Sequence, residues 1–197
     1  SIGINGFGRI GRVALRIAIS QPDTFKLCGI NVRNADLDYM KYMVRYDSTF
    51  GRFQGELDTY EQGLIINGQK IPVFSESDAS LIPWDSCGAE YIIDATGAYC
   101  TTQKAMDHLQ GGAKKVIISA PAKDEETPTF IMGVNHTEYN SDMPVVSNAS
   151  CTTNCLAPIC KILEDNYGIE YGLMSTIHAA TAKQKVVDSR SQKDWRT

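Results

Sequence analysis

The 197-residue sequence contains no apolar run approaching the ~20 residues that a membrane span needs. Basic charge is not in excess: 19 Lys and Arg stand against 23 Asp and Glu, a net charge of -4. That balance argues against a general nucleic-acid binder, because affinity for a phosphate backbone needs a basic face. There is no CxxC pair. The six cysteines (Cys28, Cys87, Cys100, Cys151, Cys155, Cys160) lack framework spacing, so thiols in a reducing compartment are expected, most of them small and buried. No charged-then-apolar leader, internal repeat or low-complexity tract interrupts the patterned sequence. These absences make a cytoplasmic protein, with neither membrane nor nucleic acid as partner, the expectation.

What is present is an alternation of strand-like and helix-like patches, which favours an α/β fold with a parallel sheet of βαβ units. Strands are expected at Ser1–Asn5, Phe25–Asn31, Tyr91–Ala95, Lys115–Ser119 and Pro144–Ser147. Apolar spacing predicts helices at Arg9–Ser20, Asp36–Tyr46 and Thr101–Leu109. Asn67-Gly68 between apolar flanks signals a hairpin within Leu64–Phe74. A further helix is expected from Cys151 to just before Gly168, with Pro158 requiring a kink or tertiary compensation, followed by a strand at Tyr171–Ala179. The one domain boundary falls near Ser150.

Asn5 to Gly11 reads NGFGRIG, a GxGxxG pattern that follows a strand and opens a helix. A dinucleotide site needs Gly6 for the turn, Gly8 for approach of backbone to pyrophosphate, and Gly11 for helix-on-strand packing. The helix start then offers free N–H groups to the phosphates. The alternative is an ordinary tight βα turn. About 20 residues on, a carboxylate should read the ribose 2′-hydroxyl. Here the second strand ends Asn31-Val32-Arg33, without that carboxylate and with an arginine beside the gap.

The stretch SNASCTTNC, Ser147 to Cys155, places Cys151 directly after Ser150, a good N-cap residue. A first-turn thiol lies where the helix dipole favours the thiolate. His178, 27 residues on in the next strand candidate, is a plausible partner, whereas His108 and His136 have weaker contexts. Zinc ligation by Cys151, Cys155, Cys160 and His178 is disfavoured, because the three cysteines follow one helix and do not converge as knuckle ligands do, so no metal is expected. A buried Cys151 with a core His178 remains the other alternative. Cys155 reads as a packed thiol.

NGFGRIGR, YDSTFGRF, DATGAY, VIISAPAKD, GVNH, SNASCTTNCLAP, TIHAAT and KDWR stand in the order found in the glyceraldehyde-3-phosphate dehydrogenases, and the sequence resembles that family throughout. The resemblance implies a Rossmann-like, mostly parallel sheet with flanking helices over residues 1–150, followed by the beginning of an α+β catalytic domain over 151–197. It implies a glycolytic oxidoreductase that forms an acyl phosphate from glyceraldehyde 3-phosphate and inorganic phosphate, with Cys151 as nucleophile, His178 as base and oxyanion partner, and a homotetrameric whole. A non-catalytic NAD-binding fragment is the alternative. TIHAAT after SNASCTTNC fits the glycolytic pattern better than that of semialdehyde or acyl-phosphate reductases. Arg9, Ile10, Asn31, Thr96, Gly97 and Ser119 match the family's cofactor contacts; Ser150 and Thr152 match its inorganic-phosphate contacts, and Thr181 a contact to the substrate's phosphate. NAD is the implied cofactor. Val32, Arg33, and Ser189-Arg190 where NAD-preferring members usually have Gly-Pro, put arginines at both places that normally exclude a 2′-phosphate, so tolerance of NADP is expected. Lys183 stands where many members have threonine, within a basic segment from Thr181 to Thr197 that reads either as a solvated face or as a charge that steers a phosphorylated ligand.

Overall fold

The computed structural model describes residues 1–181 as two units, Ser1–Lys161 and the segment from Ile162 onward. The chain opens with β1 (Ile2–Asn5), four buried residues, and turns at once into α1 (Arg9–Ser20). It continues through β2 (Leu27–Asn31), also buried throughout, and α2 (Leu37–Arg45), which Asp36 caps by accepting the Tyr39 N–H at 3.0 Å. Three strands follow: β3 (Leu57–Tyr60), β4 (Gly63–Ile66) and β5 (Gln69–Phe74). After a short α3 (Trp84–Cys87) come β6 (Tyr91–Asp94), the four-residue helices α4 (Thr102–Ala105) and α5 (Asp107–Gln110), β7 (Lys115–Ile118), β8 (Val145–Ser147) and α6 (Cys151–Tyr167).

The eight strands of the described residues form one sheet in the order β3-β4-β5-β2-β1-β6-β7-β8. Pairings from β5 through β8 are parallel, and β3 and β4 extend the edge antiparallel. Continuous apolar runs such as IGIN and LCGIN suit central parallel strands, which are covered on both faces. Ile4, Leu15, Ile30, Met40, Val44, Leu64 and Ile66 pack on one face beneath α1 and α2. On the other, Trp84 lies with Ile82, Ile92 and Ala113. Gly3 leaves room for that indole: a Cβ there would stand 2.7 Å from the Trp84 ring.

The Asn67-Gly68 turn has both residues at positive φ, 50° and 79°, as a two-residue type I′ hairpin requires. Strand β3 is a short unexpected addition. It carries Asp58 and spans four residues, too few for alternation to stand out. The single helix expected at Thr101–Leu109 is instead two segments that meet at Met106.

Two other expectations are corrected. Tyr171–Ala179 is not a strand: a strand exists only through ladder partners, and these residues are exposed without regular pairing. Cys155 is not a packed thiol but exposed, because α6 buries none of its residues, and Leu156, Ile159, Ile162 and Leu163 are exposed with it. Of the remaining cysteines, Cys28 and Cys100 are buried, and Cys87, whose thiol burial pushes up, is partly so.

Candidate functional site

Sheet order reverses direction at β1: the chain moves to β2 on one side and later to β6 on the other. In open α/β sheets, ligands bind outside the carboxyl ends of strands at such a switch point. Here those ends carry Asn5, Asn31 and Asp94, side by side in register. Above them lies a cavity of about 230 Å³. Five of its lining residues are sequence-predicted: Gly6, Asn31, Val32, Arg33 and Thr96. Glu76, Ser77 and Ile82 also line it, though nothing in their local pattern marks them, as do Ala98 and Tyr99, which follow Thr96 and Gly97 within DATGAY.

The glycines fit a cradle for a dinucleotide. Gly6 has φ +100°, and a Cβ there would come within 3.0 Å of the Ala95–Thr96 backbone, so only glycine lets β1 turn against the β6 loop. Gly8 is the N-cap of α1; it has no side chain to occupy the helix-start donors, and a Cβ there would meet nothing within 4 Å. Open space in front of unfilled helix-start N–H groups is what a pyrophosphate needs. A Cβ at Gly11 would stand 2.0 Å from the Gly6 carbonyl oxygen. Arg9 and Ile10 begin the same helix, but the Arg9 guanidinium is engaged by Asp47 and lies over the Phe50 ring, 5.3 Å from its centre. The Asp47 carboxyl, held by Arg9 and by the N–H groups of Phe50 and Thr49, lies well below the usual carboxylate range.

At the β2 end, Val32 is half-buried and donates its N–H to Phe74 O at 3.0 Å, while Arg33 is exposed. The Thr96 side chain and N–H both donate to Asp94 Oδ1, at 2.7 and 3.1 Å, and Gly97 follows with φ +71°. Ser119, just past β7, donates its N–H to Asp94 O at 2.9 Å. Ser119 is half-buried and Thr96 exposed.

The approach to Cys151 is tied to the β7 end. Asn148 N–H donates to Ile118 O at 2.9 Å, and Ser147 Oγ to Ala120 O at 2.8 Å. Ala149, buried with φ +58°, reverses the chain. Ser150 Oγ then accepts the Thr153 N–H at 3.0 Å, the N-cap bond that starts α6, and contacts the hydroxyls of Thr152 and Thr153 at 2.8 and 2.7 Å. Asn154 Nδ2 clamps the loop by donating to Asn148 O at 2.8 Å and Ser150 O at 3.0 Å. Cys151 is exposed and Thr152 half-buried. In the second unit, His178 and Thr181 are exposed, and His178 Nδ1 is 2.6 Å from Ala179 O. Lys183, Ser189 and Arg190 lie outside the described residues. Among the described residues, no group of three or more His, Cys, Asp or Glu side chains could hold a metal ion, and no helix is long and apolar enough to cross a membrane.

Comparison with known proteins agrees with the glycine cradle. Residues 1–102 match the family model described as glyceraldehyde 3-phosphate dehydrogenase, NAD binding domain, and residues 150–197 match that of the C-terminal domain. The chain is similar to glyceraldehyde-3-phosphate dehydrogenase of Aspergillus oryzae, 56% identical over 195 residues, which cover 99% of this chain and 57% of the relative. It is 53% identical to the protein named cytosolic in Gracilaria gracilis, over 99% of this chain and 57% of the relative. With the Debaryomyces hansenii enzyme it shares 52% over 196 residues, 100% of this chain and 58% of the relative. The chain thus spans less than three-fifths of the length of these curated relatives.

Proposed function

The chain belongs to the glyceraldehyde-3-phosphate dehydrogenase family, with NAD as the family's cofactor, and from that premise we propose that the whole protein oxidises and phosphorylates glyceraldehyde 3-phosphate in the cytoplasm. The observation that carries this reading is the Ser150 cap, which leaves an exposed cysteine in the first turn of a 17-residue helix. There the helix dipole stabilises a thiolate, the form that reacts.

Cys151 Sγ adds to the aldehyde carbon, and the carbonyl oxygen, now bearing the charge, accepts a hydrogen bond from the Cys151 N–H and from His178. His178 gives that oxygen its proton, forming the hemithioacetal, and takes the same proton back as the hydride departs. Bound NAD supplies the acceptor for the hydride lost from that carbon. The carbon is left as a thioester on Cys151. An oxygen of inorganic phosphate, held by Ser150 and Thr152, attacks the thioester carbonyl, and the C–S bond breaks to return the thiolate and release the acyl phosphate. Thr181 holds the substrate's own phosphate. Gly6, Gly8, Arg9, Ile10, Gly11, Asn31, Val32, Arg33, Thr96, Gly97 and Ser119 form the cofactor side, with Arg33 giving NADP access. The cofactor domain ends near residue 150, catalytic sequence begins at 151, and the whole protein works as a homotetramer.

Residues 1–197 alone bind the dinucleotide but turn over poorly, a reading favoured by the exposed apolar positions of α6. Following NADH absorbance in the full-length protein tests the proposal. Turnover of glyceraldehyde 3-phosphate should depend on inorganic phosphate, and Cys151→Ser should lower kcat by at least about 10³-fold while NAD affinity holds. Phosphate-independent turnover, or an active Cys151→Ser protein, refutes it.

A further inference from the structure

Beneath the cleft runs a buried polar chain of which the proposed chemistry uses only Asn31. Trp84, His108, Asp94, Asn5 and Asn31 are each between 0% and 3% exposed, so every donor and acceptor among them must be met within the protein. At one end the Trp84 indole, which can only donate, bonds His108 Nδ1 at 3.1 Å. Nδ1 is therefore the acceptor, the ring is the neutral Nε2–H tautomer, and Nε2 donates to Asp94 Oδ2 at 3.1 Å.

At the other end the Glu76 N–H, also donor-only, bonds Asn31 Oδ1 at 2.9 Å. That fixes the Asn31 amide, whose Nδ2 donates to Asn5 Oδ1 at 2.8 Å and to Glu76 O at 3.0 Å. It follows that Asn5 turns its Nδ2 toward Asp94 Oδ2, at 2.8 Å. The 3.4 Å approach of Asn5 Nδ2 to His108 Nε2 is then between two donors sharing one oxygen.

Both directed chains end on Asp94. Its Oδ2 receives Asn5 and His108, and its Oδ1 receives the N–H and hydroxyl of Thr96. Thr96 Oγ1 in turn accepts the Ala98 N–H at 3.1 Å. The carboxylate thus braces the 94–98 turn against the ends of β1, β2 and β6. Asn31 and Glu76 extend that brace to the segment after β5. The Tyr99 ring also faces His108, 5.3 Å away, with its phenol donating to Ser77 O at 3.2 Å.

We propose that His108 is a positioning residue for the cofactor: its Trp84-selected tautomer supplies Asp94 with the hydrogen bond that holds the 94–98 turn in its dinucleotide-binding shape. This rests on the cleft being the dinucleotide site. His108 touches neither substrate nor reacting atoms, so its removal should act on cofactor binding and leave the chemical step alone.

The test uses the full-length protein, with NAD binding by calorimetry beside steady-state kinetics. His108→Leu should weaken NAD binding and raise its KM about tenfold, because a buried carboxylate loses a donor. Its kcat, and its KM for aldehyde and phosphate, should stay within about twofold. His108→Gln can place an amide N–H near the Nε2 position and should recover NAD binding to within about threefold of wild type. If His108→Leu does not fold, Trp84→Phe carries the test, with an expected loss of about threefold in NAD affinity at unchanged kcat. Unchanged NAD affinity in the folded variant, equal loss in Gln and Leu, or a common fall of kcat with every KM overturns the inference. A wild-type protein that binds no dinucleotide overturns it together with the proposed function, whereas tight wild-type binding with unaffected variants overturns it alone.

Discussion

Gly11→Ala puts one methyl group where α1 meets the turn after β1. The ideal Cβ stands 2.0 Å from Gly6 O and 3.4 Å from Ile4 Cγ2, whereas real Cβ atoms essentially never come within 3.0 Å. The obstructing atom is backbone, so no side chain can rotate aside, and close-packed surroundings force α1 to lift by at least about 1 Å. Alanine gains about 1 kcal/mol of helix propensity over glycine. Overpacking costs roughly 1–3 kcal/mol, and a clash with fixed backbone belongs at the upper end. The net loss is about 2 kcal/mol, a fall in Tm of roughly 4–8 °C for a unit of this size. The same lift withdraws the N–H groups that face the pyrophosphate, so NAD affinity should fall about 10–100-fold. Gly8→Ala is the control. Its φ of -72° suits alanine and its Cβ meets nothing within 4 Å. Tm should therefore hold within a few degrees, while NAD affinity falls about tenfold as the methyl enters the phosphate space. Scanning fluorimetry and calorimetry on the full-length protein read both quantities. A Gly11→Ala protein with wild-type Tm and NAD affinity would refute the packing argument, and a Gly8→Ala protein with lower Tm but unchanged affinity would refute the cradle.

Arg33 lines the cleft beside Val32, opposite in charge to Glu76. An exposed arginine contributes at most about 1 kcal/mol, so Arg33→Ala should lower kcat/KM for NADP about three- to fivefold and change that for NAD less than twofold. A wild-type preference for NAD of a thousandfold or more would defeat the idea of NADP tolerance. Asp47, whose carboxyl is held below the ordinary range chiefly by Arg9, contributes stability that is present above the ordinary carboxylate value and lost as pH falls toward its own lower one. Melting curves of wild type and Asp47→Asn should accordingly differ most above about pH 5, with the gap narrowing steadily as pH falls below about 4; a gap independent of pH would show that the ion pair contributes nothing.

What the sequence made legible was local. The extent of α1, Arg9–Ser20, followed from apolar spacing, and the hairpin followed from Asn67-Gly68, because each depends on neighbours within a few residues. The glycines of NGFGRIG could be assigned roles for the same reason, and the Ser150 cap joins residues only three apart. Glu76 and Ser77 were not legible as cleft residues, since they arrive from the end of β5 only once the order β5-β2-β1-β6 is known. Tyr171–Ala179 shows the opposite failure. Its apolar content satisfies a strand pattern, but pattern supplies no ladder partner.

His108 is the clearest case of a residue whose surroundings in sequence mislead. Lying late in a helical pattern, it reads as incidental, yet it is buried against groups 14 and 24 residues distant. A signal was present, but distributed: three successive parallel strands each end in Asn or Asp, at Asn5, Asn31 and Asp94. Polar residues closing adjacent buried strands must satisfy one another or recruit a partner from the covering layer. The two asparagines and the carboxylate cannot close their own account, because Asp94 Oδ2 faces the interior and needs a second donor. A side chain from the layer beneath had to supply it. Of the described histidines only His108 is buried, and the indole of Trp84 determines which of its nitrogens gives the proton.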